Sequence, residues 1–152
     1  MRMLSILLVL CCFATICAAE WEIVSVSAEP FGGDATGGKE VMLKVRVRNA
    51  STRAIFVPTR HVTDGEIVAL VAFFVQGDNE SVWNKMIGGG SDTAVASAKW
   101  NGVAPDEVMC CSRLLSTEYA GQQMIVALRC SDSKYDKEGD KILVGPFTVP
   151  GE

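Results

Sequence analysis

Cys110, Cys111 and Cys130 supply thiols, and His61 is the sole imidazole of the chain. A thiol nucleophile needs a base within hydrogen-bond reach, so Cys111 with His61 would be the working pair of a small secreted hydrolase or redox protein. No nucleophile elbow of the G-x-S-x-G kind accompanies it. A blue-copper site needs two His and a Cys, which one His excludes, and a catalytic zinc is hard to build for the same reason. Asp132, Asp136, Glu138 and Asp140 crowd one loop and offer hard oxygen ligands to calcium. Lys134, Lys137 and Lys141 alternate with them, and EF-hand spacing is absent. The expectation is a chain with no catalytic residues, no resident metal and no cofactor.

Three further patterns carry weaker chemistry. Gly33-Asp34-Ala35-Thr36-Gly37-Gly38-Lys39 fits the phosphate-cradling loop, but Glu40 stands where Ser or Thr should hold magnesium, and a strand follows where a helix is required. Lys44, Arg46 and Arg48 recur every second residue, roughly 6.6 Å apart, and could track an anionic polymer. The simpler expectation is a solvated sheet face with acidic residues on the neighbouring strand. Trp21, Trp83, Trp100, Tyr119 and Tyr135 could stack on sugars, although aromatic residues in a β domain serve the core more often.

The elements that must position these residues read as short strands. Val41, Leu43, Val45 and Val47 alternate with Met42, Lys44, Arg46 and Arg48, the period of a half-buried antiparallel strand over 40–48. Glu22–Ala28 alternates until Pro30. Ala54–Val75 reads as a hairpin around Asp64-Gly65, the favoured centre of a type I′ turn, with Val62 opposite Ile67 and Thr59 opposite Leu70. Further strands are predicted at Ser81–Ile87, Ala94–Trp100, Glu107–Leu115, Met124–Cys130 and Lys141–Val149. Turn chemistry separates them at Gly88–Gly90, Asn101-Gly102, Ala104-Pro105-Asp106 and Gly145-Pro146. No helical periodicity of useful length is visible. The fold expected is all-β, an antiparallel β-sandwich of about seven to nine strands, immunoglobulin-like at the level of layout.

Arg2, the apolar run Leu4–Ile16 and the small residues Cys17-Ala18-Ala19 form the three parts of a secretory signal, with cleavage expected after Ala19. Residues 20–152 would then be one β-sandwich domain, secreted or periplasmic, in a compartment where disulfides form. Those 133 residues hold 13 Lys+Arg against 18 Asp+Glu, and Val outnumbers Leu 17 to 6. That composition excludes a disordered chain, a membrane-spanning bundle and a basic nucleic-acid binder, and favours strands over helices.

Parity then assigns the cysteines. Adjacent Cys110 and Cys111 must face opposite ways on a strand. Glu107 and Arg113 mark one face as polar, so Val108, Cys110 and Leu114 are expected to point inward. Met124, Val126, Leu128 and Cys130 share a face on the next strand. A Cys110–Cys130 bridge is the favoured expectation, with Cys111 unpaired; the rivals are Cys111–Cys130, a vicinal 110–111 bridge and three free thiols. The run Ile67–Val75 is apolar on both faces. Its second face is expected under a long loop or the N-terminal segment; the alternative is that Val68, Leu70 and Phe74 offer a partner surface, to another subunit or a target protein. Asn49-Ala50-Ser51 and Asn79-Glu80-Ser81 are glycosylation sequons.

The resulting expectation is a non-enzymatic binding or assembly module. The alternatives are the Cys111/His61 enzyme and a calcium-assisted carbohydrate binder. Intact-mass analysis of the exported protein should show a chain beginning at Glu20; retention of 1–19 in exported material would overturn the compartment assignment.

Overall fold

The computed structural model describes residues 20–32, 39–76, 83–86, 92–136 and 139–151. Residues 1–19, most of the G-x-x-x-x-G-K match, Asn79, Gly88–Gly90 and Glu138 lie outside them. The described elements run β1 Trp21–Pro30, β2 Glu40–Asn49, β3 Ile55–Thr63, β4 Glu66–Ala69, β5 Ala72–Gln76, β6 Trp83–Met86, α1 Asp92–Ser97, β7 Lys99–Val103, β8 Val108–Ser116, β9 Gln123–Cys130 and β10 Asp140–Thr148. They form an all-β sandwich. One sheet has the order β1-β2-β8-β4-β3-β7 and the other β10-β9-β5-β6.

Alternation on β2 decides which side is core. Leu43 and Val45 are fully buried, with Val41 and Val47 beside them, while the residues between stay half-exposed. Cys111 lies opposite Val45, Met109 opposite Val47 and Leu115 opposite Val41, so these three share the core face of β8. From the facing sheet come Met124, Val126, Leu128 and Cys130 of β9, as the sequence predicts, with Val71, Phe73 and Val75.

The hairpin is built as expected. Asp64 and Gly65 both have positive φ, 50° and 78°, as a type I′ turn requires, and Val62 pairs with Ile67. Thr59 pairs with Ala69 rather than Leu70, because the register shifts between Thr59 and His61. The apolar run 67–75 is not one strand. Its first half, β4, belongs to the six-stranded sheet and its second half, β5, to the other. The Leu70 N–H donates to the Pro58 carbonyl at 2.8 Å as the chain leaves the first sheet. With β4–β5 counted as one crossing strand, nine build the sandwich. Changing sheets explains why the run is apolar on both faces: the two halves bury different sets.

The segment Ala94–Trp100 departs from expectation. It is the short helix α1 followed by β7, and six residues are too few to display helical periodicity. Asn101-Gly102, predicted as a turn, lies inside β7. A Cβ on Gly102 would come 3.2 Å from the Phe56 ring, so the missing side chain lets the aromatic of the paired strand lie over this edge.

Asn49 closes one end of the sandwich. It is fully buried. Its Nδ2 donates to the carbonyls of Arg53 at 2.8 Å and Val103 at 2.9 Å, and its Oδ1 accepts from the Ser51 N–H and hydroxyl. Its backbone binds Glu107 and Asp106 as well. The sequon is therefore corrected: the amide nitrogen that would carry a glycan is committed inside the fold. Replacing Asn49 by Ala removes the side-chain donor to the buried Val103 carbonyl and the acceptor of the Ser51 N–H. Denaturant melting should show a loss of about 3 kcal/mol, several times the effect of an ordinary surface change; a loss under about 0.5 kcal/mol would contradict this role.

Candidate functional site

The outer face of the six-stranded sheet carries a groove of about 510 Å³. Pairing defines its floor. Arg46 lies opposite Cys110, Cys110 beside Val68, and Val68 opposite His61, one row across β2, β8, β4 and β3. Lys44–Ser112 and Met42–Leu114 form the next rows on β2 and β8. The β4–β8 neighbours run parallel and register only at Val68–Cys110. Beyond that point the groove is walled on one side by β2 and β8 and on the other by the hairpin tip, through Arg60, His61, Thr63, Asp64 and Glu66. The result is an apolar floor of Met42, Val68, Cys110 and Leu114 beneath a polar rim.

The rim is unevenly neutralised. Lys44 pairs with Glu29 at 2.8 Å, and Arg46 with Glu66 at 3.1 Å. Farther along β2, Arg48 pairs with Glu22. Its hydrogen bond and the nearby charge make Lys44 hold Glu29 below the usual carboxylate range. These are exposed pairs, screened by solvent, so their main effect is on the local field. Lys44 and Arg48 thus meet acidic residues on neighbouring β1, as the sequence suggests, whereas Arg46 meets Glu66 on β4. Arg60 and Arg113 have no such partner among the described residues. Arg113 shares the inward alternation of Cys111 and Leu115, lies opposite Leu43 and yet lines the groove; its Nε is buried with no hydrogen bond.

The face assignment of β8 is therefore corrected. Cys110 looks onto the groove and Cys111 into the core, so Cys110 and Cys130 lie on opposite sides of the sheet. Cys110, Cys111 and Cys130, the cysteines among the described residues, are free and buried, and the expected Cys110–Cys130 bridge is absent. Arg113 misled the parity argument because a long guanidinium can leave an inward position and reach a polar rim. Burial pushes the Cys111 thiol far up, reinforced by Cys110 and Cys130, and raises Cys130 to about 12. Burial raises Cys110 too, with Glu66 adding to it and Arg46 and Lys44 opposing.

Other candidates are not assembled. Cys111 is only 1% exposed in the core, while His61 is exposed on the outer face, so no base meets that thiol. Asp132 is held by Arg53 at 2.7 Å, and Asp136 accepts from the Gly139 N–H. Among the described residues no three His, Cys, Asp or Glu side chains are grouped for a metal, so the calcium set Asp132, Asp136 and Asp140 is not brought together. Val68, Leu70 and Phe74 do not share a surface. Val68 is in the groove floor, Leu70 at the sheet crossing, and Phe74 on the other sheet beneath the Lys141 ammonium, 5.4 Å from its ring centre. Arg60 and Arg113, the unneutralised rim, were missed by sequence reasoning; their common location depends on strand order.

No family model matches the chain, and no curated protein is significantly similar to it in sequence. Among solved structures it is similar to the crystal structure of a Bordetella pertussis protein designated ApaA, at 14% identity over 86% of this chain and 93% of that one, with a TM-score of 0.47.

The cysteine geometry is directly testable. Iodoacetamide should modify Cys110 faster than Cys111 and Cys130 in the folded protein, because Cys110 faces the groove while the other two lie in the core and hold their protons more tightly. Peptide mapping that found Cys111 labelled before Cys110, or a Cys110–Cys130 link, would contradict the β8 register.

Proposed function

We propose that residues 20–152 act as an exported, non-enzymatic binding or assembly module whose binding surface is the outer groove. The supporting observation is the groove's charge. Lys44, Arg46, Arg60 and Arg113 line it against Asp64 and Glu66, over an apolar floor, in a chain whose net charge is −4. A fold needs neither an apolar floor on its solvent side nor unmatched arginines above it, whereas a binding site needs both anchoring area and orienting charge. Export is supported by the tripartite segment before Glu20. The enzymatic alternative through Cys111 and His61 lacks a nucleophile–base contact, and the calcium-assisted alternative lacks a grouped ligand set among the described residues.

Ser112 is half-buried in the groove, away from the core, so Ser112→Trp fills the site without opening a cavity. The wild-type protein, immobilised and offered its own extracellular or envelope fraction, should retain a protein or small-molecule component that the Ser112→Trp variant does not, with both showing the same denaturant midpoint. Equal retention by both would place the binding surface elsewhere. Retention by neither would end the binding-module reading.

A further inference from the structure

We infer that the groove takes a small amphiphilic carboxylate, its head on Arg60 and Arg113 and its apolar body along the floor. The inference rests on the groove being the binding surface and names what it binds.

Arginine pairing carries the argument. Arg46, Arg48 and Arg53 each have a carboxylate partner, and Arg129 has a partner too. Among the described residues only Arg60 and Arg113 have none, and both line this groove. A guanidinium presents a planar fork that a carboxylate meets with two parallel hydrogen bonds.

The floor determines the rest of the ligand. Met42 and Leu114 are half-buried, and Val68 and Cys110 close the surface between the strands. From Leu114 past Ser112 to Cys110 the floor extends along β8 for about 13 Å at roughly 3.3 Å per residue, apolar at both ends. A hydrated inorganic anion would leave that apolar length wet. At about 510 Å³ the groove has the size of a small-molecule site, which range over roughly 300–1,000 Å³. A stable protein partner typically covers about 800 Å² of one surface, and the charged rim breaks the apolar area well before that. The observations therefore favour a small ligand over a peptide segment.

Calorimetric titration of the purified protein with octanoate, octan-1-ol, inorganic phosphate and an N-acetylated Leu-Leu-Glu peptide tests this. Octanoate should bind at least tenfold more tightly than octanol or phosphate, and more tightly than the peptide. It should also slow alkylation of Cys110, which locates it in the groove. The Arg60→Gln/Arg113→Gln variant should lose tenfold or more for octanoate while leaving octanol unchanged. Should that variant fold poorly, Arg60→Gln alone, at the exposed hairpin, should lose at least threefold with an unaltered denaturant midpoint. Equal binding of octanol, equal binding of phosphate, tighter binding of the peptide, no octanoate binding, unprotected Cys110, or undiminished binding by Arg60→Gln would each overturn the proposal. If octanoate fails while Ser112→Trp still abolishes retention of the native component, the module reading stands and only the ligand class falls.

Discussion

The register between β2 and β8 is the constraint on which the rest of this structure depends. β2 has an unambiguous alternation, aliphatic on one side and cationic on the other. Burying the aliphatic side sets the orientation of every strand paired to it. It puts Met109, Cys111 and Leu115 in the core and turns Cys110, Ser112 and Leu114 outward. It also aligns Lys44 and Arg46 with the floor residues of the groove. A one-residue slip would exchange the two sets, moving Leu43 and Val45 into water and the cations into the interior, a cost no surface ion pair could offset. The groove therefore follows from the same pairing that builds the core.

A second consequence concerns the end of β2. The strand stops at Asn49, whose side chain and backbone together hold the 50–53 turn, the end of β7 and the turn before β8. A buried amide with every group paired specifies geometry as well as adding stability. It fixes where β8 starts, and so protects the register that places Cys110. The β4–β5 crossing does similar work from the other side. It delivers Val68 to the groove floor and then carries the chain into the opposite sheet, where Phe73 and Val75 complete the core.

Much of this was legible in the sequence because it is local. The alternation of β2, the Asp64-Gly65 turn and the shared inward face of Met124, Val126, Leu128 and Cys130 rest on periods of a few residues. What was not legible is what strand order creates. Met109 and Leu115 on one face of β8 balance Val108, Cys110 and Leu114 on the other, and Arg113 sits on the core-facing side. Parity within that strand alone could not choose; its register with β2 does. The change of sheet after Ala69 leaves no breaker in the sequence, since Leu70 and Val71 continue the apolar run. Arg60 and Arg113 line one groove only because β3, β4 and β8 are neighbours, and the Asn49 sequon gives no sign that its amide is buried.

The central claim is that the solvent-side face of β2, β8 and the hairpin forms the binding site, while the opposite face of the same strands is closed core. Methyl-resolved NMR of the protein during octanoate addition tests it most directly. Val68 and Leu114 methyl signals should shift progressively with ligand, while those of Leu43 and Val45 on the core face, and Leu143 on the other sheet, stay fixed. Shifts confined to Leu143, or spread through the core methyls with Val68 and Leu114 unmoved, would contradict the account.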